Sequence, residues 1–333
     1  MRSKVIPDAV LARFGLVPLS IKWLDSDSAS LVAVLECADV SYLLKGYRQD
    51  SDRKKVEAQL HLTAQLADYG FSYLPPALTN HAESLIEVEG RLWSLGSFVV
   101  ADRPFGWTGG GYARQHCQEA ARVLSSLHAA GYRLLGSGFP INLPLVDCAF
   151  YEQAWPKCER GLGLLDVESE FWCQARDSAP YLHSLLLEAC RKVELCLPLL
   201  PPVVVHGDFH PGNLLFLQGK ATTLLDFEYA SVGNALVDLA YATVMFCASN
   251  NADAVIDRPA ARLFLQDYQS ALPADLPWHG WMEQSDCVEQ FEARCILSAF
   301  LILFWAVEGA CAVISSSKAQ LARNSVNAQH QYG

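Results

Sequence analysis

The segment 203-VVVHGDFHPGNLLFL-217 decides how the rest of the chain is interpreted. Two apolar runs, each readable as a buried strand, flank eight residues that include two histidines, an aspartate and an asparagine. A connection between adjacent strands needs only about two to five residues and no such collection of polar groups. The segment therefore predicts a loop that holds functional side chains between two buried strands.

A second acidic group follows this loop. The run 221-ATTLLDFEYA-230 returns as a strand-like segment that ends at Asp226. Asp208, Asn213 and Asp226 are therefore expected at the ends of two adjacent short strands. The oxygens of Asn213 and Asp226 suit Mg²⁺, which prefers few protein ligands supplemented by phosphate oxygens. The remaining carboxylate, Asp208, can orient a hydroxyl group and accept its proton.

Composition limits the classes of protein that need considering. The chain has 333 residues, of which 51% are hydrophobic and 18% charged, as in a globular protein with a large core. The net charge of −11 disfavours nucleic-acid and membrane-surface partners and is compatible with a cationic small molecule. The 11 cysteines include no Cys-x-x-Cys pair, so reduced thiols are expected rather than a disulfide framework or a zinc site.

The localisation expected from the sequence is cytoplasmic. Residues 1–17 have no uninterrupted apolar core of the signal-peptide type. The longest apolar run, 299-AFLILFWAV-307, is too short to span a bilayer and is interpreted as part of a buried helix. We therefore expect a soluble protein with no membrane partner.

The character of the sequence changes near residue 100. Before it, four segments have strand patterns and 51–70 has a helical one, with a hairpin turn at Glu89-Gly90. The predicted strands are 31–36, 40–47, 84–88 and 92–100. The predicted helices after residue 100 are 112–130, 150–176, 178–199, 235–248, 260–271 and 286–316. These patterns predict an α+β fold with a small β-rich lobe, residues 1–100, and a larger, mainly helical lobe, residues 101–333.

The polar loop and the acidic segment together resemble a known family. Protein kinases have the pattern H-R-D-x-x-x-x-N followed by D-F-G, and Asp208 and Asn213 keep that offset before 226-DFE-228. With 224-LLDFEYASVGNALVDLAYA-242 included, the chain is similar to the superfamily of aminoglycoside phosphotransferases and choline kinases. Looser similarity extends over 42-YLLK-45, 57-EAQL-60, 73-YLPPAL-78 and 121-ARVLSSLH-128.

This resemblance implies a bilobal protein-kinase-like fold and a function. The protein would use ATP and Mg²⁺ to move the γ-phosphoryl group to a hydroxyl of a small polar or cationic molecule. Residues 1–100 would form the nucleotide-binding lobe, and residues 101–333 the catalytic and substrate-binding lobe. The acceptor would be cationic or polyhydroxylated, like an aminoglycoside, choline or thiamine.

The resemblance also assigns roles to individual residues. Asp208 would be the catalytic base, and Asn213 and Asp226 the Mg²⁺ ligands. Lys45 would contact the α- and β-phosphates and Glu57 would hold that lysine. Asp238 would anchor the catalytic loop from behind, His206 would be architectural, and His210 would touch phosphate or pack. The adenine would be received by the backbone of Ser97, Phe98, Val99 and Val100.

The acceptor site is less well defined. The pattern 225-LDFEYA-230 resembles choline and thiamine kinase-like members, in which a tryptophan-bearing segment helps to cage a quaternary ammonium group. Trp305, with Glu308 and Glu228, would suit a cationic alcohol through cation–π and charge interactions. The competing interpretation of Trp305 is an ordinary core residue, since it follows a wholly apolar run.

Two other functions stay open at this point. The segment 22-KWLDSDSASLVAVLE-36 has no glycine where phosphate-covering loops are usually glycine-rich. Ser26, Ser28 and Ser30 can donate hydrogen bonds instead, but the absence of glycine also fits a non-catalytic, nucleotide-binding pseudokinase. A protein kinase is less favoured, because Gly207 replaces the arginine of the kinase loop and no A-P-E segment follows.

Overall fold

A computed structural model describes residues 5–24, 30–75, 84–102, 112–137, 148–165, 169–195, 200–248 and 256–331. Its first part is a five-stranded antiparallel sheet. The strands are β1 (Ser20–Leu24), β2 (Leu31–Glu36), β3 (Ser41–Gly46), β4 (Leu85–Val88) and β5 (Arg91–Ser97), in the order β1-β2-β3-β5-β4. Four of the five follow the predicted strands. β1 was not predicted, because it is a partly exposed edge strand without a clear apolar run.

The connection between β4 and β5 is the predicted hairpin. Val88 pairs with Arg91, and both intervening residues have positive φ, 52° at Glu89 and 70° at Gly90. Positive φ at both central residues is typical of the type I′ turn, whose twist matches that of the flanking strands. Glu89 therefore adopts the left-handed conformation together with the glycine.

Two helices accompany the sheet, α1 (Asp8–Arg13) and α2 (Arg53–Asp68). α2 begins where predicted, because the side chain of Asp52 accepts a hydrogen bond from the backbone N–H of Lys54 at 2.8 Å. Its buried residues are Val56, Leu62 and Leu66. The phase of this apolar face determines which side chains of α2 can reach the candidate site.

The second part of the chain is mainly helical. Its helices are α3 (Arg114–Gly136), α4 (Ala149–Leu164), α5 (Glu170–Asp177), α6 (Ala179–Leu195), α7 (Leu236–Phe246), α8 (Arg258–Ala271) and α9 (Ser285–Gln331). The single helix predicted over 150–176 is wrong. Leu165 and Ser169 have extended backbone conformations, so α4 ends before α5 begins.

Four short strands interrupt the helices and carry the polar loop. They are β6 (Val203–Val205), β7 (Leu214–Leu217), β8 (Lys220–Leu224) and β9 (Ser231–Gly233). β6 pairs with β9, and β7 pairs with β8, both antiparallel. Asp102 lies just after the large sheet, and its N–H donates to the carbonyl of Phe216 in β7 at 2.7 Å. This contact ties the sheet to the helical part.

The predicted fold class, a bilobal α+β fold with a β-rich first lobe and a helical second lobe, is confirmed. We infer a lobe boundary near residue 100, since β5 ends at Ser97 and α3 begins at Arg114. The largest apolar cluster joins α3, β6, α7 and α8 beneath the polar loop. A second one joins α4, α6 and α9. The cysteines in the described ranges are free thiols.

α9 is longer than predicted and includes the apolar run noted above. Its part Ser285–Ala312 is long and apolar enough to cross a membrane by length and composition alone. The same test is passed by the core helices of soluble proteins, and α9 packs against α4, α6 and α7. Cys287, Leu297 and Phe300 are buried in those contacts.

Candidate active site

The polar loop 206–213 is held from behind by α7. The carboxylate of Asp238 accepts hydrogen bonds from the backbone N–H groups of His206 at 2.6 Å and Gly207 at 2.8 Å. Asp238 is fully buried. Hydrogen bonds to a buried carboxylate are stronger than those between neutral groups. The structure thus places Asp238 where an anchor of the loop is needed.

The ring of His206 ties the loop to the segment that contains Asp226. Its Nε2 lies 2.8 Å from the carbonyl oxygen of Leu225, and its Nδ1 lies 3.2 Å from the backbone nitrogen of Asp208. A carbonyl can only accept and a backbone N–H can only donate, so the proton of His206 resides on Nε2. Both ring nitrogens are occupied, which is the architectural role expected of this histidine.

A buried hydrogen-bonded chain supports Asp238. His128 Nε2 lies 3.2 Å from Asp238 Oδ2, and His128 Nδ1 lies 2.8 Å from the hydroxyl of Tyr268. That hydroxyl in turn accepts from Trp278 Nε1 at 3.3 Å. The sequence interpretation missed these residues, although His128 ends the segment 121–128 that carried part of the resemblance. Only the packing of α3 against α8 brings His128 and Tyr268 together.

Asp208 is a partly buried carboxylate surrounded by donors. Tyr241 donates its hydroxyl proton to Oδ1 at 3.1 Å, and Asn213 Nδ2 donates to Oδ2 at 3.0 Å. Burial alone would raise the pKa of Asp208, but its interactions with His210, His206 and the Tyr241 hydroxyl outweigh burial and lower it. An ionised carboxylate at this position can orient a hydroxyl group and accept its proton. Tyr241, three residues after Asp238 on α7, was not predicted as a site residue.

His210 lies beside Asp208 within the same loop. Its Nδ1 accepts from the backbone N–H of Gly212 at 3.0 Å, and its Nε2 lies 3.4 Å from Asp208 Oδ2. The first contact places the proton on Nε2, directed toward the carboxylate. Both ring nitrogens of His210 therefore contact groups of the loop, and its predicted contact with the nucleotide stays a prediction.

Asn213 and Asp226 are the predicted magnesium ligands. Asn213 Nδ2 donates both to Asp208 Oδ2 and to the Asp208 carbonyl, at 3.0 and 2.9 Å, which leaves the amide oxygen for a cation. Asp226 has a left-handed backbone with φ 60°, and the N–H of Leu225 bonds the Asn213 carbonyl at 2.8 Å. The described ranges contain no cluster of three His, Cys, Asp or Glu side chains suited to a metal. Mg²⁺ that is bound together with nucleotide phosphates needs only one or two protein ligands.

Lys45 connects the large sheet to this acidic group. Its Nζ lies 2.9 Å from Asp226 Oδ1 and 3.6 Å from Glu228 Oε2. Burial would lower the pKa of Lys45, but the two carboxylates outweigh it and raise the pKa. The pKa of Glu228 is raised by burial and by the charge of Asp226. Lys45 therefore stays protonated beside the predicted phosphate and metal positions.

The predicted pair between Lys45 and Glu57 is not formed. Glu57 is 51% exposed and pairs with Arg53, one turn earlier on α2, at 2.8 Å. The apolar face of α2, which includes Val56, turns Glu57 toward solvent. Glu228 occupies the place beside Lys45 that Glu57 was expected to take.

The predicted adenine-binding segment leaves β5 and connects the lobes. The backbone N–H of Phe98 is already donated to the Ser41 carbonyl at 3.2 Å. Ser97 lies within β5 and pairs with Tyr42. The backbone of Val99 and Val100 is thus better placed than that of Ser97 and Phe98 to bind a nucleotide base.

The two predicted acceptor carboxylates, Glu308 and Glu228, are each paired with a lysine. Trp305 is 46% exposed and contacts the neighbouring Phe304 ring, so it is not a core residue either. Glu308 forms an ion pair with Lys157 on α4, whereas Glu228 lies beside Lys45. Of the serines proposed to replace glycine, Ser26 and Ser28 lie outside the described residues, and Ser30 is buried.

Comparison with known proteins agrees with this geometry. A model of the phosphotransferase enzyme family matches residues 24–274. Homoserine kinase of Methylobacterium nodulans is 27% identical over 281 residues, covering 81% of this chain and 78% of that protein. An aminoglycoside phosphotransferase from Alicyclobacillus acidocaldarius has a TM-score of 0.61 at 15% identity, covering 100% of this chain and 98% of the other.

A further solved structure, spectinomycin phosphotransferase in complex with ADP and spectinomycin, shares the fold. Its TM-score is 0.56 at 15% identity, covering 90% of this chain and 97% of that chain. At such identities the likeness of the solved structures concerns the fold alone.

Proposed function

Because the chain belongs to the phosphotransferase enzyme family, we propose that Asp208 is the base of a kinase that phosphorylates a hydroxyl group of a small polar molecule. The observation that carries this proposal is the position of the Asp208 carboxylate. Tyr241 and Asn213 hold it, and its pKa is lowered. Such a carboxylate is ionised at neutral pH and can accept the proton of an attacking hydroxyl.

The neighbouring residues supply the positioning that phosphoryl transfer needs. Asn213 and Asp226 would hold Mg²⁺, which neutralises charge on the β- and γ-phosphates when it is bound with ATP. Lys45, already beside Asp226, would contact the nucleotide phosphates. The backbone of Val99 and Val100 would receive the adenine. Each of these groups contributes positioning or charge, and none forms a covalent intermediate with the phosphoryl group.

L-Homoserine is the first acceptor to test. The curated relative from Methylobacterium nodulans is a homoserine kinase, and this chain covers most of its length. A cationic alcohol such as choline is less well supported, because Glu308 is paired with Lys157 and Glu228 with Lys45. We therefore place hydroxy amino acids ahead of choline, thiamine and aminoglycosides.

The test is ADP release from Mg-ATP across these acceptors, with Asp208→Asn as the blank. We expect an Asp208-dependent signal with one class of acceptor. A signal that is equal in wild type and Asp208→Asn would refute the proposed role of Asp208. Silence with every acceptor, while Mg-ATP still binds, would favour a nucleotide-binding protein without kinase activity.

A further inference from the structure

Arg294, on α9, is a buried cation without a partner. It is only 4% exposed, and within the described chain its guanidinium makes no hydrogen bond and no ion pair. Burial lowers the pKa of Arg294, and the nearby phenol of Tyr151 only partly offsets this effect. Buried charges in proteins are normally paired, so an unpaired arginine indicates a group that is still to be bound.

Arg294 lies on α9, which packs against both α4 and α7. Gln290, one turn earlier on α9, accepts a hydrogen bond from Asn234 Nδ2 at 3.3 Å, immediately before α7. On the other side, Tyr151 in the first turn of α4 interacts electrostatically with Arg294. α7 is the helix that holds the catalytic loop through Asp238. Arg294 is therefore carried by a helix that packs directly against α7, the support of the catalytic loop.

The atoms of the guanidinium differ in their accessibility. The Nε atom is buried and has no hydrogen-bond partner. Among the described residues the two Nη atoms likewise have no hydrogen-bond partner, but they do not belong to the buried, unsatisfied atoms. Two parallel N–H groups at the end of an arginine match the two oxygens of a carboxylate. The end of the Arg294 side chain thus presents a fork that matches an anionic group.

We propose that Arg294 binds the carboxylate of the acceptor, so that the substrate is a small alcohol that also carries a carboxylate. This inference rests on the proposed function, because it concerns the acceptor of the same reaction. The catalytic residues make a local cation necessary for such a substrate. Asp208, Asp226 and Glu228 are all acidic, and Lys45 is already paired with two of them. Without its own counter-charge, an anionic acceptor would be repelled.

The experiment compares two acceptors and three variants. L-Homoserine carries the carboxylate, and 2-amino-1,4-butanediol has the same skeleton with a hydroxymethyl group in its place. The variants are Arg294→Gln, Arg294→Met and the matched control Arg262→Gln, an exposed arginine of α8. We expect both Arg294 variants to raise KM for L-homoserine by at least about 30-fold, as for a lost buried charge pair. In the Arg294 variants, kcat and the KM for the diol should change little. In the control Arg262→Gln, kcat and both KM values should stay close to those of wild type.

Binding is measured separately from turnover. In the presence of Mg²⁺ and a non-hydrolysable ATP analogue, L-homoserine should raise the melting temperature of wild type and of Arg262→Gln, but not of Arg294→Gln. If this shift is seen without any phosphorylation, the proposed function fails and the carboxylate site stands. If the protein phosphorylates the diol as well as L-homoserine, the function stands and the carboxylate site is wrong. The absence of any shift in wild type would also overturn the site.

Discussion

Replacing Asp238 by asparagine would test how the catalytic loop is held. The fully buried carboxylate of Asp238 accepts from the backbone of His206 and Gly207 and contacts His128. Asparagine has nearly the same shape but only one accepting oxygen, and its amide nitrogen would face a donor. The substitution therefore removes hydrogen bonds without leaving a large cavity.

The expected cost can be worked from these contacts. A hydrogen bond to a charged group is worth about 1.5–3 kcal/mol, and a buried donor left unsatisfied costs about 1–3 kcal/mol. Asparagine keeps one accepting oxygen, so the expected loss in free energy of unfolding is roughly 3–5 kcal/mol. This is a large share of the ~5–15 kcal/mol typical of folded domains. The loop should also lose its position, so kcat should fall more than nucleotide affinity.

The assay is urea unfolding together with steady-state kinetics. A lower midpoint at an unchanged slope reports lost stability. The matched control is Asp257→Asn, at the exposed N-cap of α8, where the side chain accepts from the N–H of Ala260 at 3.0 Å. Asparagine caps helices as well as aspartate does, so this control should change stability by less than about 0.5 kcal/mol. A cost for Asp238→Asn no larger than that of the control would refute the anchoring role.

Three further substitutions have expected directions. Gly207→Ala should lower the free energy of unfolding by roughly 2 kcal/mol or more, and with it the melting temperature. The reason is that φ is +80° and a Cβ at this position would lie 2.3 Å from the Tyr229 carbonyl oxygen. An unchanged melting temperature would contradict this packing. Glu228→Gln should raise the melting temperature more near neutral pH than in mild acid. Burial and the charge of Asp226 raise the pKa of Glu228, so ionisation of Glu228 destabilises the folded protein as pH rises through that pKa. A larger increase in melting temperature in mild acid than near neutral pH would contradict this reasoning. Arg294→Met, without acceptor, should raise the free energy of unfolding by about 1–2 kcal/mol in urea, because it removes a buried unpaired charge; a clear loss would indicate a structural role.

The sequence was most informative where chemistry and local spacing coincide. Asp208 and Asn213 share one short loop, and Asp226 follows the next strand, so their proximity depends on few long-range contacts. The five-residue offset of the loop allows Asn213 to fold back onto the carbonyl and carboxylate of Asp208. The placement of Asp238 could also be expected from the resemblance.

Other features depend on packing that a sequence does not reveal. The phase of α2 turns Glu57 to solvent, and Glu228 takes the place beside Lys45. His128 reaches Asp238 only because α3 and α7 meet beneath the loop. An arginine such as Arg294 usually lies on the surface, and its burial without a partner becomes visible only in the folded protein.

The most direct test of the proposed kinase mechanism measures phosphoryl transfer and nucleotide affinity in Asp208→Asn and Asp226→Ala. In Asp208→Asn, kcat should fall by a factor on the order of 10²–10⁴, as expected when a general base is removed. Its affinity for Mg-ATP should stay close to that of wild type. Asp226→Ala should instead lose the Mg²⁺-dependent part of nucleotide binding. Turnover by Asp208→Asn at a rate near that of wild type would contradict the mechanism.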